Sequence, residues 1–336
     1  MSELTVVVAE GHGRHHVREK GYVESPRRVA ALSRGVRGTR GARQVPVRRF
    51  AERHVTAVHD PALVKFLKSS CGRIEAGKYE YSYLFPVRNA DRPPLEWSLA
   101  IGYYCIDTFT PIHKDAWVAA REAVDAALTG AQALLGGDQF AYALVRPPGH
   151  HAERRFFGGF CYLNSSAIAA HYLSEKGKVA MLDVDYHHGN GQQDIFWQRN
   201  DVLTVSIHGH PRIAYPYFSG YANEEGEGSG SGFNVNFPLP EKQIGRDYRK
   251  TLRKAIEIIE AYDPDYVVVP LGLDTARDDP TGSWALDVQD FFDNGRLIAA
   301  LDRPTLFVQE GGYRIGALAP DIRALAGSPK DPSSGG

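Results

Sequence analysis

The 336-residue sequence predicts an α/β domain: a parallel sheet covered on both faces by helices. Short, almost wholly apolar runs recur along the chain, as strands buried on both sides require. Longer stretches with apolar residues at helical spacing lie between them. Several of the apolar runs end abruptly in Asp, His or Gly, the composition of strand ends that open onto a site.

The elements follow in order. Residues 4–9 form the first strand. Ser25 starts a helix running through residues 27–32. Asp115 caps a long helix over 116–135, which Gly136 and Gly137 end. The strand 140–145 is stopped by Pro147 and Pro148, and Gly149 permits a tight turn. A helix of small residues spans 164–173, the strand 179–182 follows, and another strand covers 202–207. Residues 245–261 are amphipathic, with Leu252, Ile256 and Ile259 on one face. The strand that begins at Asp265, a helix over 287–301 and the strand that begins at Pro304 complete the series. Residues 72–94 and 209–237 read as long loops, a length usually tied to function or disorder. The glycine-rich part of the second lacks the Gly-Lys-Ser/Thr of a phosphate cradle. Residues 1–326 read as one domain and 327–336 as a disordered tail.

The chemistry gathers at strand ends. The run 179–182 leads into Asp183, Asp185, His187 and His188. Alternate strand residues share a face, so Asp183, Asp185 and His187 point from one edge. Carboxylates with imidazole suit a divalent metal such as zinc, and a cation would offset their desolvation. The strand 140–145 ends in Arg-Pro-Pro-Gly-His-His (146–151), which places His150 and His151 for acid–base work. The run from Asp265 ends in Asp274, a further candidate ligand that could equally cap the next helix. The run from Pro304 ends in Gly311, Gly312 and Tyr313. The glycines let the backbone bring the tyrosine hydroxyl inward, unless Tyr313 is a packing aromatic.

Five segments in this order carry a resemblance: Arg-Pro-Pro-Gly-His-His, Gly-Gly-Phe-Cys-Tyr-Leu-Asn (158–164), Asp-Val-Asp-Tyr-His-His-Gly-Asn-Gly (183–191), Leu-Gly-Leu-Asp (271–274) and Glu-Gly-Gly-Tyr (310–313). The chain resembles the histone deacetylase superfamily from about residue 6 to 325. It is most similar to the bacterial acetylpolyamine amidohydrolases and related deacetylase-like amidohydrolases, through Phe-Pro-Val-Arg (85–88) and Ile-Gly-Tyr-Tyr-Cys (101–105). The resemblance implies the arginase–deacetylase fold with an eight-stranded parallel sheet. It implies a zinc ion, with iron(II) the alternative, on Asp185, His187 and Asp274. His151 is then the general base, His150 its electrostatic partner, and Tyr313 the donor to the oxyanion. Asp183 orients His150 and Asn190 faces His151, where an amide leaves the ring without a neighbouring anion. A structural potassium ion is implied at Asp183, Asp185, His187, Ser206 and Ile207. Gly159, Phe160 and Tyr215 match the substrate tunnel, with the Tyr215 hydroxyl near its mouth. Tyr104 stands where histone-type members carry a rim Asp that grips peptide.

The resemblance thus implies deacetylation of a small acetylated amine, such as a polyamine, with an acetyl-lysine protein as the other substrate. Phe109 stands where polyamine-type members have an acid, and Glu96 is offset from a second acidic position. Asp107, Glu96 and Trp97 are the candidates to stand in for them. An arginase-type dimanganese centre lacks a clear second ligand set, and a binding module would not need Tyr313 with a complete ligand set. The resemblance also implies a homodimer through the 72–94 loop, whose Tyr81, Tyr83, Leu84 and Phe85 are interface-type residues. Charge is balanced, 39 Lys+Arg against 40 Asp+Glu, which points away from nucleic acid and anionic membranes. Cys71, Cys105 and Cys161 show no paired spacing. No apolar run nears the ~20 residues of a membrane span, and no signal-peptide pattern opens the chain. Cytoplasmic location is the resulting expectation.

Overall fold

Central strands of this chain are apolar through their middles because both of their faces are covered. In a computed structural model, which describes residues 3–85 and 92–327, eight strands form one all-parallel sheet. They are β1 (Leu4–Val8), β2 (Ala42–Val45), β3 (Phe140–Leu144), β4 (Val179–Asp183), β5 (Val202–Gly209), β6 (Asn234–Leu239), β7 (Tyr266–Leu271) and β8 (Thr305–Gln309). Their order is β2-β1-β3-β8-β7-β4-β5-β6, the eight-stranded parallel sheet that was expected. The helices are α1 (Arg27–Arg37), α2 (Arg53–Thr56), α3 (Pro61–Cys71), α4 (Trp97–Tyr104), α5 (Ala116–Leu135), α6 (Ser165–Ser174), α7 (Asn190–Phe196), α8 (Gly245–Tyr262), α9 (Val288–Ala299) and α10 (Ile315–Gly327).

Two apolar cores lie on opposite faces of the sheet. Along β7, Val268 joins a core with α5 and α6, while Val267, Val269 and Leu271 join one with α8, α9 and α10. Period-two alternation therefore sends successive valines to different cores, and no position is left for a polar residue.

The edges differ. β2 (Ala-Arg-Gln-Val) and β6 (Asn-Val-Asn-Phe-Pro-Leu) are the outermost strands, and neither was read from the sequence. β6 falls at the end of the 209–237 stretch that reads as loop. An edge strand needs only one apolar face and tolerates Pro238, so the signal of a continuous apolar run is missing. At the helix starts, Asn164 accepts from the Ala167 amide at 2.9 Å. Asp115 holds the cap position of α5 but its side chain makes no capping bond. Gly327 ends α10, so the expected tail begins one residue inside a helix, and its remainder, 328–336, lies outside the described residues. Residues 86–91 of the 72–94 loop also lie outside them.

The four strands whose ends carry the candidate chemistry, β3, β8, β7 and β4, are consecutive in the sheet. Parallel strands all end on one side, so the motifs they carry meet there.

Candidate active site

Beyond the end of β4, ligand atoms of Asp185, His187 and Asp274 lie within 4.8 Å of one another. His187 Nδ1 is 3.2 Å from Asp185 Oδ1 and 3.1 Å from Asp274 Oδ2. Both acids are fully buried. Each is braced from behind: the Gly311 amide donates to Asp185 Oδ2 at 2.8 Å, and the Tyr186 amide to Asp274 Oδ1 at 3.0 Å. Gly311 has to be glycine, since a Cβ would sit 2.3 Å from Asp274 Oδ2 and 2.6 Å from Asp185 Oδ2. Two buried carboxylates and one imidazole converging this closely fit a divalent cation, which would balance their charge and accept their lone pairs.

Asp183 takes a different part from its two neighbours. Its Oδ2 is 3.0 Å from His150 Nδ1 and its Oδ1 accepts from the Asp185 amide at 3.0 Å. Gln192 also donates to Oδ2. β4 and β5 pair so that Asp183 lies opposite Ser206. Ile207 follows, buried in β5. Residues expected around a potassium ion are thus on adjacent strands, although Ser206 Oγ also lies 2.8 Å from His208 Nδ1.

The two histidines of the 146–151 turn are driven apart electrostatically. Burial opposes charge on His150, but Asp185 and Asp183 outweigh it and raise the ring to about 10. Burial, then His150 and His187, push His151 well below the ordinary value. The acids thus favour a proton on one ring while burial and its neighbours disfavour it on the other, with centroids 4.0 Å apart. His151 Nδ1 lies 2.7 Å from Asn190 Oδ1, as expected. An acid is nevertheless near: the Asn190 amide donates on to Glu153 Oε1 at 2.7 Å. The turn is shaped by Glu310, whose Oε2 accepts from the amides of Gly149 and His150 at 2.6 and 3.1 Å.

Tyr313 is held by its backbone and its ring face. Its amide donates to Asp279 Oδ2 at 2.7 Å, and the Arg28 guanidinium lies 4.7 Å from the ring centroid. Arg28 donates to Gly312 O at 2.7 Å and to Glu24 Oε1 at 3.0 Å. Glu24 also accepts from Arg146 Nε at 2.7 Å. Burial alone would raise the Glu24 carboxyl, yet Arg146, His15 and Arg28 hold it well below the usual range. Burial likewise pushes the Tyr313 hydroxyl well above its ordinary value, so it remains a donor.

Aromatic rings wall the approach. Phe160 lies 5.8 Å from Tyr313, and Tyr215 lies 4.7 Å from His151. Phe109 bridges the two walls, 5.4 Å from Phe160 and 5.5 Å from Tyr215, and Tyr22 closes on Phe160 at 5.2 Å. Gly159 has no room for a side chain, because a Cβ would fall 2.2 Å from the His151 ring. The Tyr215 hydroxyl, expected near the mouth, is engaged by the wall itself. It donates to Asp107 Oδ2 at 3.0 Å, which turns it into the wall. Asp107 is thereby engaged and offers no free carboxylate to a distal cation. Tyr104 stacks on Phe66 of α3 at 4.4 Å and takes no part in the ring contacts of the collar. Trp97 packs against the core beneath Arg73.

Comparison with known proteins agrees with this geometry. The histone deacetylase domain model matches residues 22–327. This chain belongs to the histone deacetylase family. Acetylpolyamine amidohydrolase 1 of Pseudomonas aeruginosa is 41% identical over 303 residues, covering 88% of each protein. The acetylpolyamine amidohydrolase of Mycoplana ramosa is 41% identical over 78% of each. The crystal structure of an acetylpolyamine aminohydrolase from Burkholderia pseudomallei superposes with a TM-score of 0.91 at 36% identity, covering 98% of both chains. The sheet is that of the arginase–deacetylase fold, and this histone deacetylase family member is a deacetylase.

Sequence reasoning missed Glu24, Arg28, Asp279 and Glu153, and took Glu310 only as part of a motif. Glu24, Arg28 and Asp279 lie outside the motifs, and the roles of all five come largely from contacts with distant segments.

Proposed function

We infer that this chain is a zinc-dependent deacetylase of small acetylated amines that carry a further ammonium, acetylated polyamines among them. The observation that carries the substrate is a cavity of about 410 Å³ outside Phe160. Tyr22, Tyr81, Phe109 and Phe160 line it together with Glu19, and Lys20 borders it as well. Tyr81 donates to Glu19 Oε2 at 2.7 Å and so orients it. Aromatic faces with one acid suit a cation, and Glu19 stands in for acids that the sequence lacks at Phe109.

Asp185, His187 and Asp274 would hold the metal, zinc by the donor set with iron(II) as the alternative. When bound, the ion supplies Lewis-acid polarisation of the amide carbonyl and makes a water molecule more acidic. His151, neutral and with Nε2 free, accepts the proton of the attacking water. The water oxygen bonds to the acyl carbon while Tyr313 donates its hydroxyl hydrogen bond to the carbonyl oxygen as charge develops. His150, paired with Asp183 at 3.0 Å, stabilises that charge. The C–N bond then breaks and the leaving nitrogen takes up the proton carried by the histidine pair, which gives acetate and the free amine. A potassium ion at Asp183, Asp185, His187, Ser206 and Ile207, and a homodimer through the 72–94 loop, belong to the same reading.

The test is kcat/KM for an N-acetylated polyamine against an acetyl-lysine peptide, with wild type and Glu19→Gln. A preference for the polyamine that falls roughly five-fold in Glu19→Gln, with the peptide unaffected, is the expected outcome. Preference for the peptide would replace this reading with a protein deacetylase.

A further inference from the structure

The chain contains a device that its motifs do not announce. His151, Asn190 and Glu153 are joined by consecutive hydrogen bonds of 2.7 Å each. Glu153 is two residues beyond His151, and Asn190 opens α7, so the three converge from the β3 and β4 strand ends. The middle member is an amide, which has a donor end and an acceptor end. The Asn190 nitrogen faces two acceptors: Glu153 Oε1 at 2.7 Å, an obligate acceptor when ionised, and the His151 carbonyl at 3.3 Å, which can never donate. Turning the amide over would set its oxygen against both. Asn190 Oδ1 must therefore face His151 Nδ1, and an oxygen there can only accept. The ring hydrogen sits on Nδ1, which leaves the Nε2 lone pair free.

Glu153 is itself fixed. Its amide donates to Phe156 O at 2.9 Å, and its carbonyl accepts from His59 Nδ1 at 2.8 Å. Burial, and then the neighbouring Asp194, raise the carboxyl to about 7, against the bond from Asn190. With the proton on Oε2, Oε1 accepts in the protonated form as in the ionised one, and the His151 carbonyl accepts in both, so the orientation of the amide persists through that titration.

We propose that Glu153 is a positioning residue for His151: acting through the Asn190 amide, it fixes the tautomer that leaves Nε2 free as a base. The inference rests on the deacetylase reading only in giving His151 the proton of water. A direct His–carboxylate pair would set the same tautomer by charge, whereas here it is set by the polarity of an amide that a second residue holds in place.

The test is the ring ¹⁵N spectrum of His151 in the zinc-loaded, histidine-labelled protein at pH 7.5, alongside steady-state kinetics on an N-acetylated polyamine. Glu153→Gln keeps an acceptor toward Asn190; it should retain the Nδ1–H tautomer and a kcat within about three-fold of wild type. Glu153→Leu removes the acceptor. It should populate the Nε2–H tautomer and lower kcat on the order of 10²-fold, the scale of a general base, with KM changed far less. Glu153→Ala replaces it if the leucine variant does not fold. An Nδ1–H tautomer unchanged in the leucine or alanine variant overturns the proposal whatever the kinetics do. So does equal loss of the tautomer in Glu153→Gln. Because the tautomer is read without turnover, a wrong substrate assignment would leave this result standing.

Discussion

Asp107 ties both walls of the tunnel to one carboxylate. Its Oδ2 accepts from the Gly159 amide at 2.5 Å, from Thr110 Oγ1 at 3.0 Å and from the Tyr215 hydroxyl at 3.0 Å. Its Oδ1 accepts from the amides of Phe109 and Thr110 at 3.0 and 2.8 Å. The rings of Phe109, Phe160 and Tyr215 are thus positioned by a residue that is itself buried. Removing the carboxylate leaves buried donors unpaired, at about 1–3 kcal/mol each. Asp107→Ala should therefore lower thermal stability and reduce kcat/KM by roughly ten-fold or more, with KM rising as the walls loosen. Tyr215→Phe removes only one of the donors and should stay within about three-fold, because its hydroxyl faces the wall. Steady-state kinetics on the two variants decides this. A larger loss in Tyr215→Phe than in Asp107→Ala would mean that the hydroxyl meets substrate.

Elements differ in how openly the sequence declares them. β3, β4, β7 and β8 were legible because burial on both faces forces apolar runs, and because Asp, His and Gly end those runs where the sheet opens. Asp185, His187, Asp274, His150, His151 and Tyr313 were legible for the same reason. The edge strands β2 and β6 were hidden by their half-polar composition. Glu153 and Arg28 were hidden, and Asp107 was named only as a candidate acid for substrate, because each acts through a partner far away in the chain or on another element. The 72–94 loop was legible by length, and its described part is tied down at several points. Tyr79 donates to His16 O at 3.0 Å, and Glu80 bridges to Ile112. Yet Tyr83 and Leu84 are exposed, and so is Leu95 just past the loop's end, which leaves large apolar side chains open to a partner. If this face seats a second copy, light scattering should give the dimer mass. Tyr83→Glu with Leu84→Glu should shift it toward the monomer by placing charges in an apolar contact. A monomer mass for the wild type would remove the dimer from the reading.

The molecule as a whole carries opposed titrations. His59 and His208 are buried neutral and pushed down to about 4, and His113 to about 3, chiefly by burial. Glu153, Glu310 and Asp321 are raised to about 7, again chiefly by burial. Between pH 6.5 and 4 the unfolded chain takes up protons that the folded histidines refuse, so their stabilisation is complete above pH 6.5 and is lost on acidification. The raised acids act in the other direction: the folded state holds protons that the unfolded state releases, so their contribution is complete below pH 4.5 and is lost as pH rises through 7. The net profile is flatter than either set alone, and a single histidine shows itself only in a difference. His59 is suited to this. Nδ1 donates to Glu153 O and Nε2 accepts from the Asn164 amide at 2.9 Å, so a proton on Nε2 would break the bond at the cap of α6. His59→Gln keeps an acceptor and removes the titration. The stability advantage of wild type over this variant, from urea unfolding, should shrink between pH 7.5 and 4.5 by roughly 2–3 kcal/mol. An advantage that stays constant across that range would mean His59 titrates normally in the folded protein, with its ring open to water rather than locked between Glu153 and Asn164.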